Sequence, residues 1–429
     1  MSSRDQPVDV LVVGAGSAGA TAAVAAARAG ADTLLVDRLG FLGGTSTSVL
    51  DTFYAFYTPG AVAHKVISGI PDEVVAGLEA EDACFERPNT YGAGTGITYD
   101  PETLKRVWET LATEAGVRLL LHSFAFAAGH DADGRVDAVQ IVTKGGVRTI
   151  RPGAVVDASG DADICHLAGA AYDAPDERTQ SLSTVFRLAG VDAGRMAPKE
   201  TLWRLIREAV DEGAYRLPRL EGSIHRTPQE GVVMCLMTRI AGVDATDPDA
   251  LTAAELEGRR QSHEYFRFLR DRVPGFERAV LVSTSPAIGV RESRRIHGMH
   301  RLTAEEVLAG TQFPDQIARC GAPVEDHHAG ADTRWAYLEE GATYGIPYGC
   351  LVPEAVEGVV VAGRCLSATH DAHASARSMG TCMAMGQAAG TAAALSAAGG
   401  TVPRGIDAQA LRRRLAADGA DVGALEIAA

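Results

Sequence analysis

The run ATHDAHASARSMG, residues 368–380, sets His370, Asp371, His373 and Arg377 among alanines, serines and a glycine. Imidazole and carboxylate at that spacing could bind a metal, move a proton or border a cofactor. Only two histidines and one aspartate lie close in sequence, and no cysteine completes a zinc set. Upstream, VRESRR offers Arg291, Glu292, Arg294 and Arg295. A guanidinium fork suits a carboxylate, and Arg291 and Arg294, three apart, would share one helical face. These two are the candidates for orienting an anionic substrate group. Tyr344 and Tyr348 could cover a bound ring, donate a hydrogen bond or pack in a core. His297, His300, His327 and His328 are read as loop residues and left unassigned.

Such groups need elements to position them, and the amino terminus supplies the clearest. In VDVLVVGAGSAGATAAVAAARAGADTLLVDR, residues 8–13 read as a buried strand, an alanine-rich helix follows, and 33–36 read as the next strand. Gly14, Gly16 and Gly19 stand between strand and helix in G-x-G-x-x-G spacing. Gly14 permits the tight turn, Gly16 lets the backbone approach a pyrophosphate, and Gly19 lets the helix pack on the strand. Ser17 and Ala18 open the helix, whose free N–H groups and positive dipole end would face the phosphates. Asp37 stands where a carboxylate accepts ribose hydroxyls. Strand, helix, second strand and acid occur in register, which makes the motif specific and leaves NAD or FAD as the cofactor.

The next residues favour FAD. RLGFLGGTSTSV adds Arg38, Gly43 and Gly44, with Thr45, Ser46 and Thr47 behind them, and so more N–H and hydroxyl donors for phosphate. Asp37, Arg38, Gly43 and Gly44 resemble the signature of the glutathione reductase superfamily of flavoproteins. In that superfamily a helix and strand like those expected after Asp100, with the strand at 117–121, pass beside the adenine. This implies Phe124 and Ala125 as contacts. AVVDASGDADICHLAGA is similar to the strand-end motif that returns the chain to FAD, carried by Asp157, Ala158, Ser159, Gly160 and Asp161. Ser159 stands where that family usually shows threonine.

The segment from 344 to 395, with IGVRESRRIHG and DASGDAD, resembles bacterial FAD-dependent oxidoreductases related to fumarate reductase flavoprotein subunits. The resemblance implies flavin contacts at Gly363, Arg364, Ser378, Met379, Gly380 and Thr381, with His370, His373 and Arg377 near the reacting face. ATHDAHASARSMG then reads as the bed of the cofactor.

The fold class expected is α/β: a discontinuous Rossmann-like FAD-binding lobe over 1–170 and 350–396, an inserted α+β substrate lobe over 171–349, and a helix with a frayed tail over 397–429. Within the insert, STVFRLAG and EGVVMCLMTRIAGV read as strands, TAAELEGRRQSHEYFRFLRDRV as a helix, and capping boxes start helices at Thr252 and Thr303. A chain of 429 residues, 46% hydrophobic, is long enough for two lobes, and its net charge of -15 repels nucleic acid and anionic membranes. Seven scattered cysteines without a C-x-x-C pair, and no leader pattern before the first strand, suggest a reduced, cytoplasmic protein and disfavour disulfide reductase chemistry.

The expected activity is hydride transfer, as dehydrogenation, desaturation or the reverse, on a small organic substrate, an anion being one option, in a bacterial biosynthetic pathway. His370 or His373 is the expected base. Oxygen, a quinone or a separate reductase would be the electron partner. A flavin monooxygenase and a non-catalytic FAD-binding electron-transfer subunit are the alternatives. The sequence leaves the substrate and the oligomeric state open.

Overall fold

A computed structural model describes residues 6–330 and 332–425. Strand β1 (Gln6–Val13), helix α1 (Ser17–Arg28) and strand β2 (Thr33–Val36) open the chain, the two strands parallel with Val13 opposite Val36. Their valines and leucines are under cover on both faces, as central parallel strands require. Helix α2 (Pro101–Glu114) is capped by Asp100, whose carboxylate accepts the Thr103 N–H, and β3 (Arg118–Leu120) then pairs with β2. A meander of β4 (Phe124–His130), β5 (Val136–Thr143) and β6 (Gly146–Asp157) follows. The long β6 joins two sets of neighbours in one seven-stranded sheet: its first residues pair antiparallel with β5, its last in parallel with β1.

The insert builds an antiparallel sheet from β7 (Phe186–Ala189), β8 (Ser223–Arg226), β9 (Val233–Leu236) and, after helix α3 (Pro248–Arg272), β10 (Val280–Thr284), in the order β8-β9-β7-β10. Helix α3 starts four residues before the expected cap. Asp247 accepts the Asp249 and Ala250 N–H groups and Pro248 takes the first position, so Thr252 lies inside the helix with its hydroxyl on Pro248 O. The capping box at Thr303 and Glu306 forms as expected.

The chain then returns to the first sheet. Strand β11 (Val359–Val361) pairs in parallel with the end of β6, Val361 opposite Asp157, and helices α4 (His370–Ala376) and α5 (Met379–Gly399) follow. Val13, Asp157 and Val361 therefore stand in one row at the carboxyl ends of β1, β6 and β11. Helix α5 crosses α1 at backbone contact. A Cβ on Gly386 would lie 2.1 Å from Ala18 O, and one on Gly390 2.0 Å from Ala22 O.

Two main hydrophobic cores result. The first holds the parallel sheet, α1, α2 and α5, and also takes in buried residues between Ile296 and Val352. The second gathers Phe186, Ile206, Tyr265, Phe268 and Phe276 between the cap sheet and its helices. The cap core is thus smaller than the 171–349 insert expected from sequence, because strands Gln316–Cys320 and Tyr344–Pro347 pair with each other in the first core, the former against α5. The helix expected in the tail spans Ala408–Ala417 and buries Leu411 and Leu415, while residues 426–429 lie outside the described residues. VRESRR does not form a helix. Residues 290–294 are without regular structure and Arg295–Ile296 is a short strand against Tyr172–Asp173, so Arg291 and Arg294 share no helical face.

Candidate cofactor and substrate cleft

A cleft of about 1800 Å³, counted to its open mouth, runs from the carboxyl ends of β1 and β6 to the cap. One end is lined by Gly14, Gly16, Ser17, Ala18, Asp37, Arg38, Gly44, Thr45, Ala158, Ser159, Gly160, Asp161, Gly363, Arg364, Ser378 and Met379. Here the backbone makes a cradle that side chains would fill. Gly14 has φ 96° and a Cβ on it would lie 2.3 Å from Ala158 O. Gly44 has φ 53° and its Cβ would lie 2.7 Å from Gly16 Cα. Gly16 supplies no side-chain cap to α1, so first-turn N–H groups stay open to an anion.

Asp37 Oδ2 accepts the Ala15 N–H at 2.5 Å and Oδ1 the Leu39 N–H at 2.6 Å. Burial raises this carboxyl and those bonds oppose the rise. The remaining lone pairs are available to hydroxyl donors. Donor set and cradle fit a dinucleotide.

Several expected contacts stand behind the lining instead. Gly19 presses α1 onto the turn, where a Cβ would lie 1.8 Å from Gly14 O. Gly43 donates its N–H to Ala15 O, and the Ser46 hydroxyl donates to Gly43 O. The Gly380 N–H goes to Tyr54 O and the Thr381 hydroxyl to Cys320 Sγ, so both support α5. Phe124 and Ala125 do not reach the cleft: β4 is the outer strand of the meander, Phe124 is 47% exposed and Ala125 is buried. Leu39, next to Arg38, lines the cleft.

At the cap end the expected catalytic set divides. Arg291 and Arg377 line the cleft. Arg291 Nη1 donates to Ser181 O at 2.6 Å and Ser183 Oγ at 3.0 Å; Arg377 Nη2 donates to Gln180 Oε1 at 2.9 Å and Glu325 O at 3.1 Å. Arg294 lies off the cleft, paired with Asp163 at 3.0 Å.

The two histidines also lie off it. His370 sits between Glu292 and Asp326; burial opposes its charge, but hydrogen bonds with Asp326 and Glu292 outweigh that and raise it to about 9. His373, fully buried, donates to Arg364 O at 3.0 Å and is pushed by burial down to about 3. The two rings thus serve different partners and share no ligand. Asp326, His370 and Asp371 do converge, yet Arg334 bridges both carboxylates, at 3.3 and 2.7 Å, which makes the group an ion-pair network. Tyr344 is buried in the first core with its hydroxyl 2.7 Å from Ser375 Oγ, and Tyr348 donates to Pro403 O.

The cap end instead brings in His327, read from sequence as a loop residue, and Tyr54, Tyr91, Arg219, Glu325 and Trp335, none of them expected there. Arg219, 1% exposed, donates to Leu236 O and Tyr91 Oη, each at 3.3 Å. Tyr91 stacks between Trp203 and Trp335, with centroids 5.9 and 5.2 Å away. Glu325 Oε1 lies 2.9 Å from His327 Nε2, and His327 Nδ1 lies 3.2 Å from Thr333 Oγ1, which accepts from Arg239 Nη2. Burial, reinforced by Arg291, Arg219, Arg377 and Arg239, holds His327 well below the usual histidine value, so its ring is neutral. The network assigns the ring proton to Nε2, and every donor in the chain from Arg239 points toward Glu325. EDHHAG carried the only sequence signal for this group, and nothing local distinguished it from a loop.

The sequence profile of the FAD dependent oxidoreductase family matches residues 9–415. No curated protein matches the chain. Among solved structures, the flavin-dependent brominase Bmp2 superposes with a TM-score of 0.52 at 13% identity, over 96% of this chain and 83% of that one. The p-nitrophenol 4-monooxygenase PnpA from Pseudomonas putida DLL-E4 does so with a TM-score of 0.51 at 11% identity, over 92% and 82%. At such identities the likeness is one of fold: an α/β architecture with a Rossmann-like FAD-binding sheet.

Proposed function

This chain belongs to the FAD dependent oxidoreductase family, and on that premise we propose that it moves hydride to or from a carbon atom of a small anionic organic molecule at the cap end of the cleft. FAD, when bound, supplies the two-electron acceptor or donor. The observation that carries the reading is a single cleft whose one end is a dinucleotide cradle and whose other end presents Arg219, Arg291 and Arg377. Gly14, Gly16 and the start of α1 would hold the pyrophosphate, Asp37 a ribose, and Gly363, Arg364, Ser378 and Met379 the redox-active ring.

Glu325 takes the role first expected of His370 or His373. It is the carboxylate lining the cap end, its Oε1 is fixed by His327, and its Oε2 has no hydrogen-bond partner among the described residues. A substrate O–H or N–H at Oε2 would give up its proton there as hydride leaves the adjacent carbon. The motifs at 157–161 and 362–381 support a place near the fumarate reductase branch of the glutathione reductase superfamily.

The test is anaerobic mixing of the purified holoenzyme with a panel of small organic acids, followed by the visible flavin absorption. Bleaching by one class of acid supports hydride removal. Substrate-stimulated oxygen uptake driven by NADPH, without anaerobic bleaching, would move the chain to the monooxygenases. Tight FAD with neither response would leave an electron-transfer subunit.

A further inference from the structure

We propose that the cap end of the cleft is a site for a monocarboxylic acid with an apolar, ring-bearing body, its carboxylate gripped by Arg219, Arg291 and Arg377; the assignment rests on the reading that the substrate is an organic anion.

The argument begins with charge. In a chain with net charge -15, three guanidinium groups line this end of the cleft against one carboxylate, Glu325. Their hydrogen bonds go to backbone oxygens, a serine hydroxyl, a glutamine and a tyrosine, and none forms an ion pair among the described residues. Arginines just outside the cleft behave differently: Arg294 pairs with Asp163, and Arg295 with Glu292 and Asp173. Burial and the neighbouring Arg377 and Arg219 hold the Arg291 guanidinium well below its usual value. Guanidinium is too strong a base to relieve that strain by losing its proton, so the site keeps an unmatched positive field. Nε of Arg219 and Nε of Arg377 are also buried without a partner among the described residues. A carboxylate supplies what is missing.

Glu325 and the walls narrow the class. A second negative charge on the ligand would meet Glu325, which disfavours dicarboxylates and phosphate. Leu50, Leu236, Ile288 and Val290 line the cleft together with the aromatic rings of Tyr91 and Trp335. Such walls reward an apolar, flat body and leave a polar chain without partners.

The probes are benzoate, acetate, succinate and inorganic phosphate, each titrated into the purified holoenzyme and followed by tryptophan fluorescence and by the visible flavin spectrum. Trp203 and Trp335 belong to the aromatic stack at the site, whereas Trp108 is buried in the first core. Benzoate is expected to bind more tightly than the other three. Arg291→Lys should weaken it by roughly tenfold or more, the loss of one charge-assisted hydrogen bond, with FAD content unchanged.

Because Arg291 also holds Ser181 O, a variant that keeps all three cations is the second arm: Ile288→Asn should lower benzoate affinity and leave acetate binding as it was. Phosphate binding as tightly as benzoate, or succinate binding more tightly, overturns the proposal. Saturable quenching by benzoate in protein that holds no FAD would retain this site while removing the flavin-based reading.

Discussion

Two histidines one turn apart on the same short helix end in opposite protonation states, and carboxylates decide which is which. His373 has only the Arg364 carbonyl and is neutral; His370 has Glu292 and Asp326 and is charged. A folded value near 9 against an ordinary 6.5 makes the His370 contribution complete below about pH 6.5 and lost as pH rises through about 9. His370→Gln should therefore destabilise the protein at pH 6 by about 3 kcal/mol, the order expected when a buried pair loses one partner. The gap from the unaltered protein should narrow as pH passes 9. Urea unfolding of both proteins from pH 6 to 10 measures it, and a gap that stays constant would show that His370 is neutral in the fold.

The same contrast marks what was legible at this scale. Gly14 and Gly44 could be read because each stands in a contiguous glycine motif, and each adopts a positive φ, 96° and 53°. Whether an arginine is spent on a structural carboxylate, as Arg294 is on Asp163, or left open, as Arg291 is, depends on a partner far away in sequence. Arg219, Glu325 and Trp335 belong to no local pattern at all.

At the scale of elements, the placement of α5 depends on two glycines that carry no chemistry. Gly386 and Gly390 let α5 touch the α1 backbone at Ala18 and Ala22, which brings Ser378 and Met379 to the cradle formed by Gly14 and Gly16. A methyl group at Gly386 would lie 2.1 Å from Ala18 O, too close for side chains to absorb. Gly386→Ala should cost at least the roughly 1–3 kcal/mol typical of overpacking and should also lower the FAD bound per chain. Paired measurements of unfolding free energy and flavin-to-protein absorbance test it. Full flavin content together with lost stability would mean that the helix start is held independently of its crossing.

Periodicity found α2 and the parallel strands, because burial on one face or both writes itself into the sequence. It failed at VRESRR, where each residue has its own distant partner. Glu292 bonds His370, Ser293 bonds Asp161, and Arg295 reaches Ala368 O, so tertiary contacts hold the segment extended against its helical spacing.

Across the whole molecule, the cleft is also the junction between the two main cores. Among the described residues, the contacts that join them there are a small cluster of Val49, Val185 and Met234, His225 of β8, whose Nε2 lies 2.7 Å from Asp51 Oδ1, the stack of Tyr91 on Trp203, and hydrogen bonds such as Arg239 to Thr333. That the chain has a nucleotide lobe and an insert was legible from its motifs. The extent of each was not, since Ile296 to Val352 joins the first core only through pairings between distant strands. A ligand lying along this junction stabilises the folded state by mass action, about 2.7 kcal/mol at a hundredfold excess over its dissociation constant. Stripping FAD should therefore lower the melting temperature, and added FAD should restore about 1.4 kcal/mol for each tenfold rise in free cofactor beyond saturation. Packing within each core far exceeds the apolar packing between them, so the apoprotein should lose their coupling first. A variant keeping only Trp108, in the first core, and one keeping only Trp203, beside the second, would report them separately. Coincident transitions with FAD and separated transitions without it are the expected pair. Coincidence in both states would mean that the cap is held by its own contacts and that the cofactor does not bridge the lobes.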